Sequence, residues 1–389
     1  MEIREVKLSE VATVKGGKRL PKGINLIIKP NSHPYIRVRD LNGKRTLELD
    51  GSFEFVDDET QKTISRYIVT NGDIVLSIVG TIGLVSIVGD SLNEANLTEN
   101  CVKLTSFSDI DRDYLYYYLK SPYGQQEIAR GTVGAVQAKL PIKNIQDITI
   151  PLPDEVVQGK IAAILSSLDT KIEINQRIND NLQQQAMALY AEMFLNSSDN
   201  NVISGTLSDI AVITMGQSPS GSSYNEDGVG EVFYQGRSEF GFRFPKRRLF
   251  TTEPKRMAET GDVLLSVRAP VGDLNIAYER CCIGRGLGAI HSKTGHSSFV
   301  LYTMFALRSQ LDVFNGEGTV FGSINRDALN AIPIDIPPVT EIDQFEAVAH
   351  PIDELIRANY EENCRLEAIR DSLLPKLMSG EIDVSAVQL

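Results

Sequence analysis

The spacing of apolar positions changes twice along the chain. Short aliphatic runs bounded by Gly, Pro and Asn come first; "TNGDIVLSIVGTIG" (Thr70–Gly83) reads as a tight turn, a strand and a glycine turn. After Pro153 the interval becomes three and four, at Ile161, Leu165, Leu168, Ile172, Leu182, Ala186, Leu189 and Met193. That stripe predicts a helix of about 35–40 residues, roughly 55 Å at 1.5 Å per residue. The strand-like runs then return. A second stripe follows Pro338, at Phe345, Val348, Ile352, Leu355, Leu366, Ile369, Leu373 and Leu377. A lone helix cannot bury such a stripe, so the two are expected to pack together as a coiled coil. The expected seam is Leu168, Ile172, Asn175, Leu182 and Leu189 against Ile352, Leu355, Asn359, Leu366 and Leu373. Unless they face solvent, Asn175 and Asn359 fix the register at some cost in stability. His350-Pro351 is expected to kink the second helix or to start a new one after Val348.

The strand-rich segments repeat one another. "ETGDVLLSVRAPVG" (Glu259–Gly272) matches Thr70–Gly83 at Gly72/Gly261, Asp73/Asp262, Leu76/Leu265, Ser77/Ser266 and Gly83/Gly272. "VKLSEVATVKGG" (Val6–Gly17) corresponds to "GTLSDIAVITMGQ" (Gly205–Gln217). "GTVGAVQAKLPIKNIQDITIPLP" (Gly131–Pro153) corresponds to "GTVFGSINRDALNAIPIDIPP" (Gly318–Pro338). The offset falls from 199 at Leu8/Leu207 to 189 at Gly72/Gly261 and 184 at Leu140/Ile324, so the second copy is shorter. Each copy also holds an aromatic helix, Asp111–Gly131 and Ser297–Gly316; helical spacing makes Tyr114, Leu115, Tyr118 and Leu119 a core face rather than a base-stacking one. The fold class is therefore α+β, with this organisation: residues 1–153 and 201–338 as two copies of one α/β domain, and residues 154–200 and 339–389 as long helices.

Composition narrows the class of protein. The 389 residues suffice for two or three cored domains. "MEIREVKLSE" offers no apolar run for a signal peptide, and no segment approaches the roughly 20 apolar residues of a membrane span. Cys101, Cys281, Cys282 and Cys364 form no C-x-x-C pair, so reduced thiols in the cytoplasm are expected. The net charge of −12 argues at first against nucleic acid. It is distributed unevenly: 0 over residues 1–150, −4 over 151–200, −1 over 201–340 and −7 over 341–389. The two strand-rich segments are neutral, and screening within about 8–10 Å leaves local basic loops in control of local contacts.

This layout resembles the specificity subunits of Type I restriction–modification systems. The resemblance covers essentially the whole chain. It rests on the two repeats and two helices, on "LPIKNIQDITIPLP" followed by "QGKIAAILSSLDTKIEINQRINDNLQQQAMALYAEMF", and on the ending "LLPKLMSGEI". It implies two target-recognition domains, each reading half of a bipartite double-stranded DNA site, and two helices paired antiparallel as a spacer. It also implies two modification subunits that carry the methyltransferase chemistry, and restriction/translocase subunits that join for cleavage. Duplicating the fold then lets one chain read two different short words at a fixed distance.

The reagents of an enzyme are missing. No Asn/Asp-Pro-Pro-aromatic motif is present; Pro337-Pro338 lies in "DIPPVTE". "GEGTVFG" (Gly316–Gly322) follows a helix and matches "GTVG", which makes it a turn rather than a cofactor loop, and no G-x-x-x-x-G-K-[ST] occurs. His33, His291, His296 and His350 lack metal spacing, and His291 and His296 read as loop residues. No catalytic residue, cofactor or metal is expected. A standalone methyltransferase or nuclease is opposed on these grounds; a coiled-coil scaffold with two protein-binding domains remains the alternative.

Candidate DNA-binding residues cluster in both copies. The first offers Lys15, Lys18, Arg19 and Lys22, then Arg37, Arg39, Lys44 and Arg45; the second offers Arg237, Arg243, Lys246, Arg247 and Arg248. Arg can bridge guanine O6 and N7, whereas Lys mostly meets phosphate. Gln217 and Ser218, aligned with Gly17 and Lys18, and Arg268, aligned with Val79, are candidates whose role differs between copies. Phe240, Phe242 and Phe244 either position the second loop or form a core face, with at least one in the core.

Overall fold

The structure, a computed structural model, describes residues 3–41, 43–134, 136–196, 202–316 and 322–388. It divides into two compact units, Met1–Ile174 with Glu362–Leu389, and Asn175–Glu361. Both unit boundaries fall inside long helices.

In the first unit a five-stranded sheet runs in the order Thr13–Gly16, Cys101–Thr105, Ile74–Ser77, Val85–Val88, Thr46–Leu47. All its pairs are antiparallel except the last. A smaller sheet of Glu54–Phe55, Pro34–Ile36 and Asn96–Leu97 lies beside it in the chain, and Arg4–Lys7 pairs with Thr149–Leu152. The second unit repeats the plan: Ala211–Met215, Leu287–Ser292, Val263–Ser266, Leu274–Ile276 in one sheet. The order Leu249–Thr251, Glu231–Tyr234, Cys281–Ile283 recurs in its other large sheet, and Ile203–Thr206 pairs with Pro333–Ile336.

The repeated Gly-Asp…Ser…Gly motif is architecture. Gly72 and Gly261 turn at φ 85° and 89°, a conformation that favours glycine. Asp73 and Asp262 close that turn by accepting from the Thr70 and Glu259 amides, each at 2.8 Å. Ser77 and Ser266 clamp the following turn, donating to the Thr81 and Pro270 carbonyls at 2.6 and 2.8 Å. Leu76 and Leu265 are fully buried between them.

The aromatic helix of the first unit, Arg112–Lys120, buries every residue from Tyr114 to Leu119, as expected for a core element. Burial pushes the Tyr114 and Tyr116 hydroxyls above the usual phenol range. Its counterpart, Ser297–Ala306, is buried from Ser298 to Met304.

The first long helix is Glu155–Tyr190, continuing as a wider turn to Leu195; the second is Val339–Met378. Within each unit they run antiparallel. In the first, Leu165 shares a core with Leu374 and Leu377, Arg370 donates to Asp169 at 2.8 Å, and Lys171 meets Glu362 at 3.2 Å. In the second, Asn359 Nδ2 donates to Asn179 Oδ1 at 2.8 Å, and Tyr190 packs on Phe345 with ring centres 5.5 Å apart. Asn175 is buried.

Two sequence expectations are corrected. The second helix is buried at Phe345, Ala349, Ile356 and Asn363, with Ile352 and Asn359 half-buried between them and Leu366 half-buried beyond. Val348 and Leu355 are 51% and 48% exposed. The true seam thus alternates four and three through Ala349 and Ile356; Val348 and Leu355 each sit one position early, and larger apolar side chains masked the phase. Nor does Pro351 end the helix, which continues through it. The carbonyl it deprives is that of Ala347, an exposed residue, where water can replace the lost bond.

Candidate nucleic-acid interface

In the first unit, the segment after strand Thr13–Gly16 passes from the five-stranded sheet onto the small one, held by backbone bonds. Gly17 N–H donates to Cys101 O at 3.1 Å and Lys18 N–H to Leu97 O at 2.8 Å. Only glycine fits at 17, since a Cβ there would stand 2.0 Å from Thr98 O. Tyr35 donates to Lys18 O at 2.7 Å, and Lys18 Nζ lies 5.6 Å over the Tyr67 ring. Lys15, Lys18 and Lys22 are exposed and meet no carboxylate among the described residues. Arg19 pairs with Glu99 at 2.5 Å. Burial works against the Glu99 charge, but the Arg19 hydrogen bond and its other donors outweigh it and hold the carboxyl below its ordinary value.

The next turn, Val38–Asp40, gathers arginines on a buried carboxylate. Asp40 accepts from Arg37 N–H at 2.7 Å and from its Nε at 3.2 Å. Arg39, 60% exposed on its side chain, reaches Glu54 at 3.1 Å. Lys44 is exposed. Arg45 is held against Asp113 at 2.5 Å on the aromatic helix. Burial opposes its charge, yet Asp113 outweighs burial and raises its pKa.

The second unit lays down the same backbone. Gly216 N–H donates to Leu287 O at 2.9 Å, and Gln217 N–H to Ile283 O at 3.0 Å. Gln217 therefore matches Lys18 and Ser218 matches Arg19, one residue away from the sequence alignment. Ser218 Oγ accepts from Arg285 N–H at 3.2 Å. Arg285, exposed in the turn that answers Glu99, is a candidate that sequence reading missed; its only signal was "GRG" in a loop. Arg268 is exposed and matches Val79: Ile324 N–H donates to Val267 O as Leu140 N–H does to Ile78 O, at 3.1 and 3.0 Å.

The cluster around residue 245 does not present four free charges. Lys246 is exposed and meets no carboxylate among the described residues. Arg247 pairs with Glu279 at 2.5 Å and lies 5.7 Å over Tyr278; Arg248 bridges Glu226 and the buried Glu239 at 3.3 and 3.1 Å. Arg243 is only 3% exposed. It sits against Asp353 at 3.4 Å and Tyr302 Oη at 3.3 Å, so it does not face solvent and is withdrawn from the DNA-facing set. Phe244 is buried, Phe240 half-buried and Phe242 exposed. Arg237 shares Asp273 with Arg308, at 2.7 and 3.0 Å, on the wall of an open cleft of about 500 Å³.

His291 lies on strand Leu287–Ser292, not in a loop, and contacts Asp262 at 2.6 Å, the place Lys103 takes on Asp73. His296 meets Asp343 at 2.8 Å. Cys281 and Cys282 are buried in a strand, and burial pushes the Cys281 thiol up. Among the described residues no cluster of His, Cys, Asp and Glu is disposed to hold a metal ion, and no helix is long and apolar enough to cross a membrane. Residues 317–321 of the "GEGTVFG" turn lie outside the described residues.

The chain matches the family described as Type I restriction modification DNA specificity domain twice, over residues 2–184 and 201–361. It is 31% identical over 356 residues to the MjaX type I restriction enzyme specificity subunit of Methanocaldococcus jannaschii, covering 85% of this chain and 83% of that one. It is 23% identical over 383 residues to the MjaIX specificity subunit of the same organism, covering 90% and 87%. The crystal structure of a Type-I restriction-modification system S subunit from M. genitalium shares the fold at a TM-score of 0.58, with 17% identity, covering 97% of this chain and 96% of that one.

Proposed function

We propose the following reading for this chain, which belongs to the Type I restriction modification DNA specificity family. It is the non-catalytic DNA sequence-recognition subunit of a Type I restriction–modification complex. Each strand-rich copy, residues 1–153 and 201–338, reads one half of a bipartite duplex target. The paired helices, residues 154–200 and 339–389, hold the half-sites a fixed number of base pairs apart. Two modification subunits supply the methyl transfer, restriction/translocase subunits supply cleavage, and the complex works in the cytoplasm.

One observation carries this reading: the two copies keep one framework and change what they expose. The buried Asp, Leu and Ser of the repeated motif are identical in both copies, and the Asp and Ser make the same bonds. At four equivalent positions beside the Gly17/Gly216 segment the residues are Lys18/Gln217, Arg19/Ser218, Glu99/Arg285 and Val79/Arg268. A constant scaffold with altered charges and donors at its rim suits two different words. In the first copy Lys15, Lys18 and Lys22 make phosphate contacts; Lys246, Arg268 and Arg285 serve the second. Arg19, Arg39, Arg237, Arg247 and Arg248 reach DNA by exchanging a carboxylate for a phosphate or a base edge.

The test is a gel shift with duplex DNA, using the chain with and without its modification subunits, followed by sequencing of methylated products. Sequence-specific binding and a bipartite motif are expected. Assembly without any sequence preference would instead favour a scaffold that binds proteins.

A further inference from the structure

Arg45 and Arg243 are 198 apart, between the offsets of 199 at Leu8/Leu207 and 189 at Gly72/Gly261 that flank them. Backbone bonds identify them as equivalents. Ile87 N–H donates to Arg45 O, and Ile276 N–H donates to Arg243 O, both at 2.8 Å. Ile87 and Ile276 differ by the same 189 as the Gly72/Gly261 pair. Each arginine then turns inward. Arg45 ends on Asp113 of its aromatic helix. Arg243 ends on Tyr302 of the equivalent helix, its guanidinium carbon 5.8 Å from the ring centre, and on Asp353 of the second long helix.

Neither side chain is optimised for stability. Arg45 Nε, Arg243 Nε and Arg243 Nη1 are buried without an acceptor. Donors left unpaired in the interior work against folding, and a buried ion pair is weak evidence of stabilisation. Both copies nevertheless place an arginine here, within or at the end of the segment that carries their exposed cations. In the second unit that segment has further anchors: Phe244 packs 4.9 Å from Tyr360, and Arg247 lies over Tyr278.

We propose that Arg45 and Arg243 are equivalent positioning residues. Each ties the basic segment of its copy (Arg37–Arg45, or Arg237–Arg248) to the helical core, sets its orientation toward one half-site, and touches no DNA. This rests on the reading of each copy as a half-site reader. It implies that each inward-turned arginine governs discrimination at one half of the target without contributing to the ionic part of binding.

The experiment uses the methyltransferase assembled from the full chain and its modification subunits. Arg243→Met, Asp353→Asn, the double variant and Lys246→Ala are compared with the parent. Affinity for a duplex bearing the parental motif is measured against salt, and base preference is read by sequencing methylated products from half-site libraries. Lys246→Ala should lower the salt slope by about 0.9. Arg243→Met should leave the slope unchanged and weaken discrimination at one half-site by about ten- to a hundredfold, the scale expected of a misplaced reading element. The other half-site should be untouched, and the double variant should be no worse than Arg243→Met. Arg45→Met should do the same to the opposite half. A slope that falls with Arg243→Met would make it a phosphate contact; unchanged discrimination would make it mere packing; additive losses would uncouple it from Asp353. Each result overturns the proposal. If Arg243→Met does not fold, Arg243→Lys, which keeps the stem and charge but loses the fork, decides by the same readings. A parent complex without a bipartite motif would refute the half-site reading itself and this proposal with it.

Discussion

Four residues inserted between Gln183 and Gln184 should lengthen the gap between half-sites by one base pair. Both unit boundaries fall inside the long helices, so the proposed spacer takes its length and phase from them. Four residues add about 6 Å and about 400°, a full turn plus 40°. One base pair adds 3.4 Å and about 35°, since a turn takes 10–10.5 pairs. Rise alone would call for nearly two base pairs, rotation for one. Rotation should decide, because two base pairs would leave about 30° of misphasing, which turns a reading loop off its groove, whereas an excess of about 2.6 Å is within the give of side chains. The insert also keeps Ala186 and Tyr190 close to their packed face, where Tyr190 meets Phe299 and Phe345. A two-residue insert rotates by about 200° and should abolish activity. The assay is sequencing of methylated DNA from cells expressing each variant with the modification subunits. An active four-residue insert with the parental spacer, or a fully active two-residue insert, would refute the reasoning.

Other changes follow from the same structure. Asn179→Leu removes the acceptor of Asn359 Nδ2 and should cost about 1–3 kcal/mol in denaturant unfolding; changing Asn359 to Leu as well should recover that stability but yield methylation at mixed spacings as register loosens. Gly216→Ala puts a Cβ 2.1 Å from Gly284 O and should cost about 1–3 kcal/mol, with methylation failing at one half-site before the complex falls apart. In Lys246→Ala/Arg247→Ala the salt slope should fall by more than 0.9 but less than about 1.8, because Glu279 already holds Arg247; a drop of zero in salt-titrated binding would remove this loop from the interface.

How much of this was legible beforehand depends on the range of the interactions. The duplication and the two long helices follow from local spacing and are found there, but each aromatic helix is shorter than the spacing predicts: Asp111–Gly131 is split at Ser121 into Arg112–Lys120 and Pro122–Gly131, and Ser297–Gly316 into Ser297–Ala306 and Arg308–Asp312. The seam phase was not legible, because Leu355 and Ile356 are adjacent apolar residues and only contact with the partner helix chooses Ile356. Arginine burial was hidden because Asp113 and Asp353 lie far along the chain from Arg45 and Arg243. Arg285 is recognisable only from the backbone bonds, which make Gly284–Gly286 the counterpart of Thr98–Asn100 in the other copy. Charge counting marked the candidate loops but could not separate Lys246, which meets no carboxylate among the described residues, from Arg248, which meets two.

The central claim is that each copy reads its own word. Replacing residues 1–153 with the corresponding segment of another specificity subunit, and sequencing the methylated DNA of cells that also express the modification subunits, tests it most directly. The account predicts a new base sequence in one half of the motif, with the other half and the spacer as in the parent. A change in both halves would contradict it.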